Sequence, residues 1–464
     1  MRSTIAAVVA GALLARLRAP LTWLMALLAT AAMCTAGCAS AAGQPVPSAD
    51  GLGKITFAIG SDDINWLRPV IAKWNAIHPG QAVTALYLPQ AANVQLDQLV
   101  ANLQAKSPVY DVIDMDVVWT AEFAANGWII PLPESKFPLG DFIPSAVKTA
   151  KYQSRLYAVP DYSNAGLLYY RRDILTKAHQ QPPTTWAQLK YLAKTVAPRY
   201  GLAGYAGTFA QYEGLTVNFA EAVQSAGGSI LNPSDTQVTV DSPQALAGLQ
   251  FLVDGFRQGW IPRSTLRYEE VAAQEAFESG RFLFLNDWPD VYATLGPDAN
   301  RTYGIAALPG PGGPGSSSLG GANLAISAFS QHQGTALSFI QYLTEYDQQK
   351  TMLELGSFPP VLESLYHDPS LTARFPYLPT LYQAIKSAQP RPAITSYDQA
   401  SLVIFGETYQ ALEGQKTPRQ ALADMQKLLT QVVRSGLTPP LAEQGPARYS
   451  NNSPTQIPIG AIHT

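Results

Sequence analysis

Charge is scarce in this chain: Asp, Glu, Lys and Arg make up 14% of its 464 residues, against about a quarter in ordinary soluble domains. The formal net charge is −3, and the basic residues form no cluster, which excludes nucleic acid as the main partner. Cysteine is nearly absent: Cys34 and Cys38 both lie near the N-terminus, so the body of the chain has no thiol for disulfides, metal ligation or nucleophilic attack. The five histidines are isolated, without the spacing of a zinc site. There is no Gly-x-Ser-x-Gly elbow and no P-loop, and no cofactor is expected. Gly310, Gly312 and Gly315 match a dinucleotide fingerprint literally, but Pro311 and Pro314 and the lack of a following helix make that segment a loop.

What is present is apolar material: hydrophobic residues reach 47%, with 35 Gly and 36 Pro. That supports a large core and excludes a disordered chain. Arg2, Arg16 and Arg18 precede the apolar run Leu21–Met33, which suits a signal sequence and is too short to span a bilayer. Thr35-Ala36-Gly37-Cys38 then resembles a lipobox, with Thr35 departing from the usual Leu. Residues 1–37 are read as a lipoprotein-type signal peptide, and Cys38 as the acylated N-terminus of an exported protein on the outer face of the cytoplasmic membrane. An ordinary secretory signal is the alternative. Residues 38–53 read as a flexible tether and 438–464 as a loose tail.

Between those ends, strand and helix patterns alternate. Strands are expected at Lys54–Ile59, Ala82–Tyr87 and Tyr110–Val118, with helices from Ile64 and over Ala91–Ala105. This β-α-β-α-β rhythm predicts a doubly wound α/β lobe. The pattern continues past Pro160, and the last third is nearly all helical. An α/β protein of two lobes is expected: 54–160 with about 321–358 in one, 161–320 with about 359–437 in the other. Hinge segments are expected near Pro160 and Gly320.

Asp114 and Asp116 fall on one face of a strand near its C-terminal end, where α/β sheets place ligands, with Trp119 close by. A helix cap or a solvated turn is the alternative for either acid, and paired carboxylates also suit glycoside hydrolysis. The segment 111–128, DVIDMDVVWTAEFAANGW, resembles that of extracellular solute-binding lipoproteins of carbohydrate ABC importers. Within them it is most like the trehalose-binding lipoproteins of mycobacteria and other actinobacteria. Segments 160–175, 213–231, 275–292, 320–326 and 391–401 continue the likeness in order along the chain.

The resemblance implies a periplasmic-binding-protein-like fold with a disaccharide, trehalose or another α-glucoside, in the cleft between two lobes. It implies a non-catalytic, monomeric receptor that delivers its ligand to permease subunits. Carried onto this sequence, Asp116, Glu213 and Arg391 would hydrogen-bond sugar hydroxyls, the two acids from opposite lobes and without a role in folding. Asn164 would act as donor and acceptor, Trp288 would stack on a pyranose face, and Gly321 would leave room for the sugar. Asp62 or Asp63, in the first β-α loop, would contribute as well. Each has a plainer reading: Trp288 as lobe core, Glu213 as an acid at a helix start, Arg391 as a loop residue, Asn164 as a turn cap. An exported glycoside hydrolase and a structural lipoprotein without a small ligand are the rival functions.

Overall fold

A computed structural model describes residues 51–61, 64–296 and 298–436. The signal segment, Cys38, Asp62, Asp63 and the tail lie outside the described residues.

The first sheet forms because its central strands are apolar on both faces, as a covered parallel sheet requires. Ile55–Gly60 pairs in parallel with Val83–Leu88 on one side and with Val112–Asp116 on the other. Ser318–Ile326 then adds antiparallel to Val112–Asp116, and also pairs with Ala158–Ala165 and with the short Gln389–Pro390. The second sheet runs in the order Tyr303–Ala306, Leu167–Arg171, Phe282–Asp287, Ala203–Ala206. These are the two α/β lobes expected. Helices cover both: Ile64–Ile77 packs with Tyr346–Gly356 in the first lobe, and Glu213–Ser225 with Pro243–Gln258 and Tyr397–Glu413 in the second.

The strand expected over Tyr110–Val118 ends at Asp116, because the Asp116 Oδ1 accepts the Val118 N–H at 3.2 Å and turns the chain into a short helical segment. Asp111, just before the same strand, is a framework residue. Its carboxylate accepts the Thr56 N–H at 2.8 Å and the Ser330 hydroxyl at 2.6 Å.

Three crossings join the lobes. Ala158–Ala165 leaves the first sheet and, after Gly166 alone, continues as Leu167–Arg171 of the second. The chain returns from Tyr303–Ala306 to Ser318–Ile326 through a turn in which the Gly310 N–H donates to the Gly313 carbonyl. That turn contains the glycine fingerprint, so those glycines sit in a loop. The third crossing follows Gln389–Pro390. Residues 359–388 were expected in the second lobe, yet helix Leu378–Ser387 packs on Ala158–Ala165 and the Ile143 N–H donates to the Val361 carbonyl at 2.8 Å. Its apolar face (Leu378, Leu381, Ile385) is buried there, so the chain stays with the first lobe to the end of that helix.

Candidate ligand-binding site

A cavity of about 970 Å³, counting its open mouth, lies between the lobes. Asp116, Asn164, Glu213, Trp288, Gly321 and Arg391 all line it. Gly60, at the end of the strand preceding Asp62 and Asp63, lines it too.

Arg391 is the centre of the arrangement. It follows the third crossing, is 3% exposed, and reaches into both lobes. Its Nη2 donates to the Asp116 Oδ1 at 2.9 Å and its Nη1 to the Glu213 Oε1 at 2.5 Å. Glu213 opens the helix Glu213–Ser225 and is itself buried. Its Oε1 also accepts the Tyr397 hydroxyl at 2.5 Å, and its Oε2 accepts the Ser401 hydroxyl. Its backbone N–H donates at 2.9 Å to the Oδ1 of Asn93, on the first-lobe helix Ala92–Gln104. Burial, which Arg391 partly offsets, and the nearby Asp116 leave the Glu213 carboxyl above its usual range despite the two hydroxyl donors. The guanidinium is disfavoured by burial and held protonated by its two carboxylates and Tyr397. Asp116 stays 20% exposed at its side chain, and its Oδ1 accepts from both Arg391 and the Val118 N–H.

Trp288 is half-buried beyond the strand Phe282–Asp287. The Tyr169 hydroxyl donates to its carbonyl at 2.8 Å, and its ring lies against Gly320, where an added Cβ would meet it at 2.8 Å. Tyr169 and Tyr170 are therefore core residues, with Tyr169 supporting the cavity wall. Tyr162 and Phe358 form another wall, edge to face at 4.9 Å. Gly321 has φ +117°, and an added Cβ would sit 2.2 Å from the Tyr162 carbonyl oxygen. The close approach of two backbones at a bulge in the Ala158–Ala165 pairing demands glycine there.

Asp114, read with Asp116 as facing the ligand end of its strand, lines the cavity; so do Glu270, Asp287, Asp290, Gln90, Gln95 and Gln274, to which the sequence assigned no site role. The glutamines carry no motif. Asp287 had a signal in standing directly before Trp288. Among the described residues no group of three or more His, Cys, Asp or Glu is placed to hold a metal ion, and no helix is long and apolar enough to cross a membrane.

Residues 70–376 match the family model described as bacterial extracellular solute-binding protein. A probable ABC transporter-binding protein of Deinococcus radiodurans is 30% identical over 77% of this chain and 88% of its own length. The maltose-bound protein MalE3 of T. maritima superposes with a TM-score of 0.78 at 32% identity, over 82% of this chain and 99% of that one. A Thermotoga lettingae solute-binding protein solved with α-D-tagatose has a TM-score of 0.76 at 24% identity, over 82% of this chain and all of that one, and speaks for the fold alone.

Proposed function

The chain belongs to the bacterial extracellular solute-binding proteins, the ligand-capturing components of ABC transporters and not enzymes, and from that premise we propose that its cleft captures a neutral disaccharide, trehalose or another α-glucoside, for a transmembrane permease. Trp288 carries this reading. A half-buried indole in a cavity wall, bordered by polar side chains, suits the apolar C–H face of a pyranose with hydroxyls at its edge. The maltose on the T. maritima relative supports the same ligand class.

In this reading Asp116 offers its second oxygen to a sugar hydroxyl, and Arg391 holds both acids in place and faces the ligand with its edge. Charge-assisted bonds of this kind contribute about 1.5–3 kcal/mol each. Binding draws the lobes together about the crossings at Gly166, between Ala306 and Ser318, and after Pro390. The receptor acts as a monomer tethered outside the cell by acylated Cys38, which an acylated N-terminal Cys38 peptide in the membrane-extracted protein would establish by mass spectrometry.

Calorimetric titration with trehalose, maltose, glucose and mannitol tests the ligand. A disaccharide should bind at least about tenfold more tightly than glucose, and at 100 times its Kd should stabilise the fold by about 2.7 kcal/mol. If none of the four sugars binds or raises the melting temperature, the sugar reading is wrong.

A further inference from the structure

Near Trp288, two buried side-chain oxygens of cavity-lining residues have no hydrogen-bond partner among the described residues. Asn164 is 8% exposed, and its Oδ1 accepts no hydrogen bond among the described residues. Asp287 is 6% exposed; its Oδ1 accepts the Trp288 N–H at 2.9 Å, and its Oδ2 has no partner among the described residues. Both side chains line the cavity. The crossing strands bring them together: Asn164 pairs with Gly320, against which the Trp288 ring lies, and Asp287 pairs with Leu167, three residues beyond Asn164. A buried polar atom left unsatisfied is costly, so native proteins rarely keep one without a reason. Two of them on side chains that line one cavity mark where a ligand supplies the missing partners.

The surroundings of Asp287 decide its charge. Asp290 follows it after Pro289, Glu270 faces it from the start of helix Glu270–Glu278, and Glu221 from helix Glu213–Ser225. The phenols of Tyr169 and Tyr212 are the other ionisable groups turned toward it. None of these is a cation. Arg391, the only basic residue lining the cavity among the described residues, is engaged by Asp116 and Glu213. An ionised Asp287 would be buried with a single N–H donor and three acids around it, which strongly disfavours the charge. Burial first, then Asp290 and Glu270, hold its carboxyl well above the usual range.

We propose that Asp287 is a neutral carboxylic acid whose Oδ2–H donates to a hydroxyl or ether oxygen of the ligand, while the Asn164 Oδ1 accepts from a neighbouring ligand hydroxyl. Together they form a donor–acceptor pair beside the stacking tryptophan. The pair selects an uncharged polyol, because a carboxylate or phosphate placed there would meet Glu270 and Asp290. This inference rests on the sugar-binding reading above.

Two measurements test it. Without ligand, the raised acid must lose stability as pH rises above its unfolded value of about 4. Asp287→Asn keeps the shape and cannot ionise, so its melting temperature should exceed wild type by a margin that widens from pH 5 to pH 8. A margin that does not change with pH overturns the neutral acid. With trehalose and maltose, Asp287→Ala and Asn164→Ala should each lose about tenfold or more in affinity. Asp287→Asn, which still presents a donor, should recover most of what Asp287→Ala loses. If wild type binds a disaccharide and Asp287→Ala matches it within about twofold, the pair is wrong and the sugar reading stands. If wild type binds neither sugar, the sugar reading fails and the pair falls with it.

Discussion

At the residue scale, the telling feature is that three side chains expected to hold a ligand hold one another. Asp116, Glu213 and Arg391 come from a first-lobe strand end, a second-lobe helix start and the third crossing. Each was legible singly, as an acid at a strand end, an acid at a helix start, and an arginine between prolines. Their mutual contact depends on three segments far apart in sequence, which no local pattern encodes. It also changes what their loss does. Glu213 was expected to bind a sugar hydroxyl and to have no role in folding. Instead it is buried with Arg391, Tyr397 and Ser401 as donors. Breaking a buried ion pair by removing one partner costs about 3–5 kcal/mol, because the other charge is stranded. Glu213→Ala should therefore lower stability by an amount near that range as well as weaken binding. Asp116→Ala, at a partly exposed position, should cost less than half as much while weakening binding comparably. Denaturant unfolding of both variants separates the effects; equal and small stability losses would refute the buried tie. Asp62 and Asp63 enter neither argument, since they lie outside the described residues.

At the scale of elements, the crossings were visible as glycine and proline beside a change of pattern, but only two of three were found. The third follows a two-residue strand, too short to leave a periodic signal. Apolar alternation in helix Leu378–Ser387 announces a buried face without saying which lobe buries it. Gly166 and Gly321 show what the crossings require. At Gly166 an added Cβ would lie 2.1 Å from the Glu221 Oε1, and the same oxygen accepts the Ser318 N–H at 3.4 Å. One second-lobe carboxyl thus touches the first and second crossings together. At Gly321 the backbone combines φ +117° with a carbonyl 2.2 Å from where Cβ would be. Gly321→Ala should cost about 1–3 kcal/mol from the dihedral alone, with a steric penalty added. Gly312→Ala, where nothing lies within 4 Å of an added Cβ, is the control. Thermal unfolding should show a clear loss for the first and little change for the second; similar melting temperatures would mean the bulge relaxes.

At the scale of the whole molecule, the scarcity of charge in the sequence becomes a matter of where the acids lie. Several are buried without a cation, and Asp161 is the extreme case. It lies in the first crossing strand with no exposure, and neither carboxyl oxygen has a hydrogen-bond partner among the described residues. Burial pushes its carboxyl up to about 7. The consequence has a definite sign. Below about pH 4 the acid is protonated both folded and unfolded, and contributes no pH dependence. Between about 4 and 7 the unfolded chain has released the proton and the folded chain keeps it, so folding stability falls as pH rises. The slope is on the order of 1.4 kcal/mol per pH unit for this one group, and it levels off above the folded value. Asp161→Asn keeps the volume and has no proton to lose. Calorimetric melts of the wild type and this variant at constant ionic strength should therefore be closest near pH 4 and separate steadily toward pH 7, with the variant the more stable. Parallel curves across that range would mean that Asp161 is ionised in the fold, and that water or a group outside the described residues stabilises its charge. The effect acts on the same strand that carries Asn164 to the cleft, so proton release at Asp161 should loosen the first crossing.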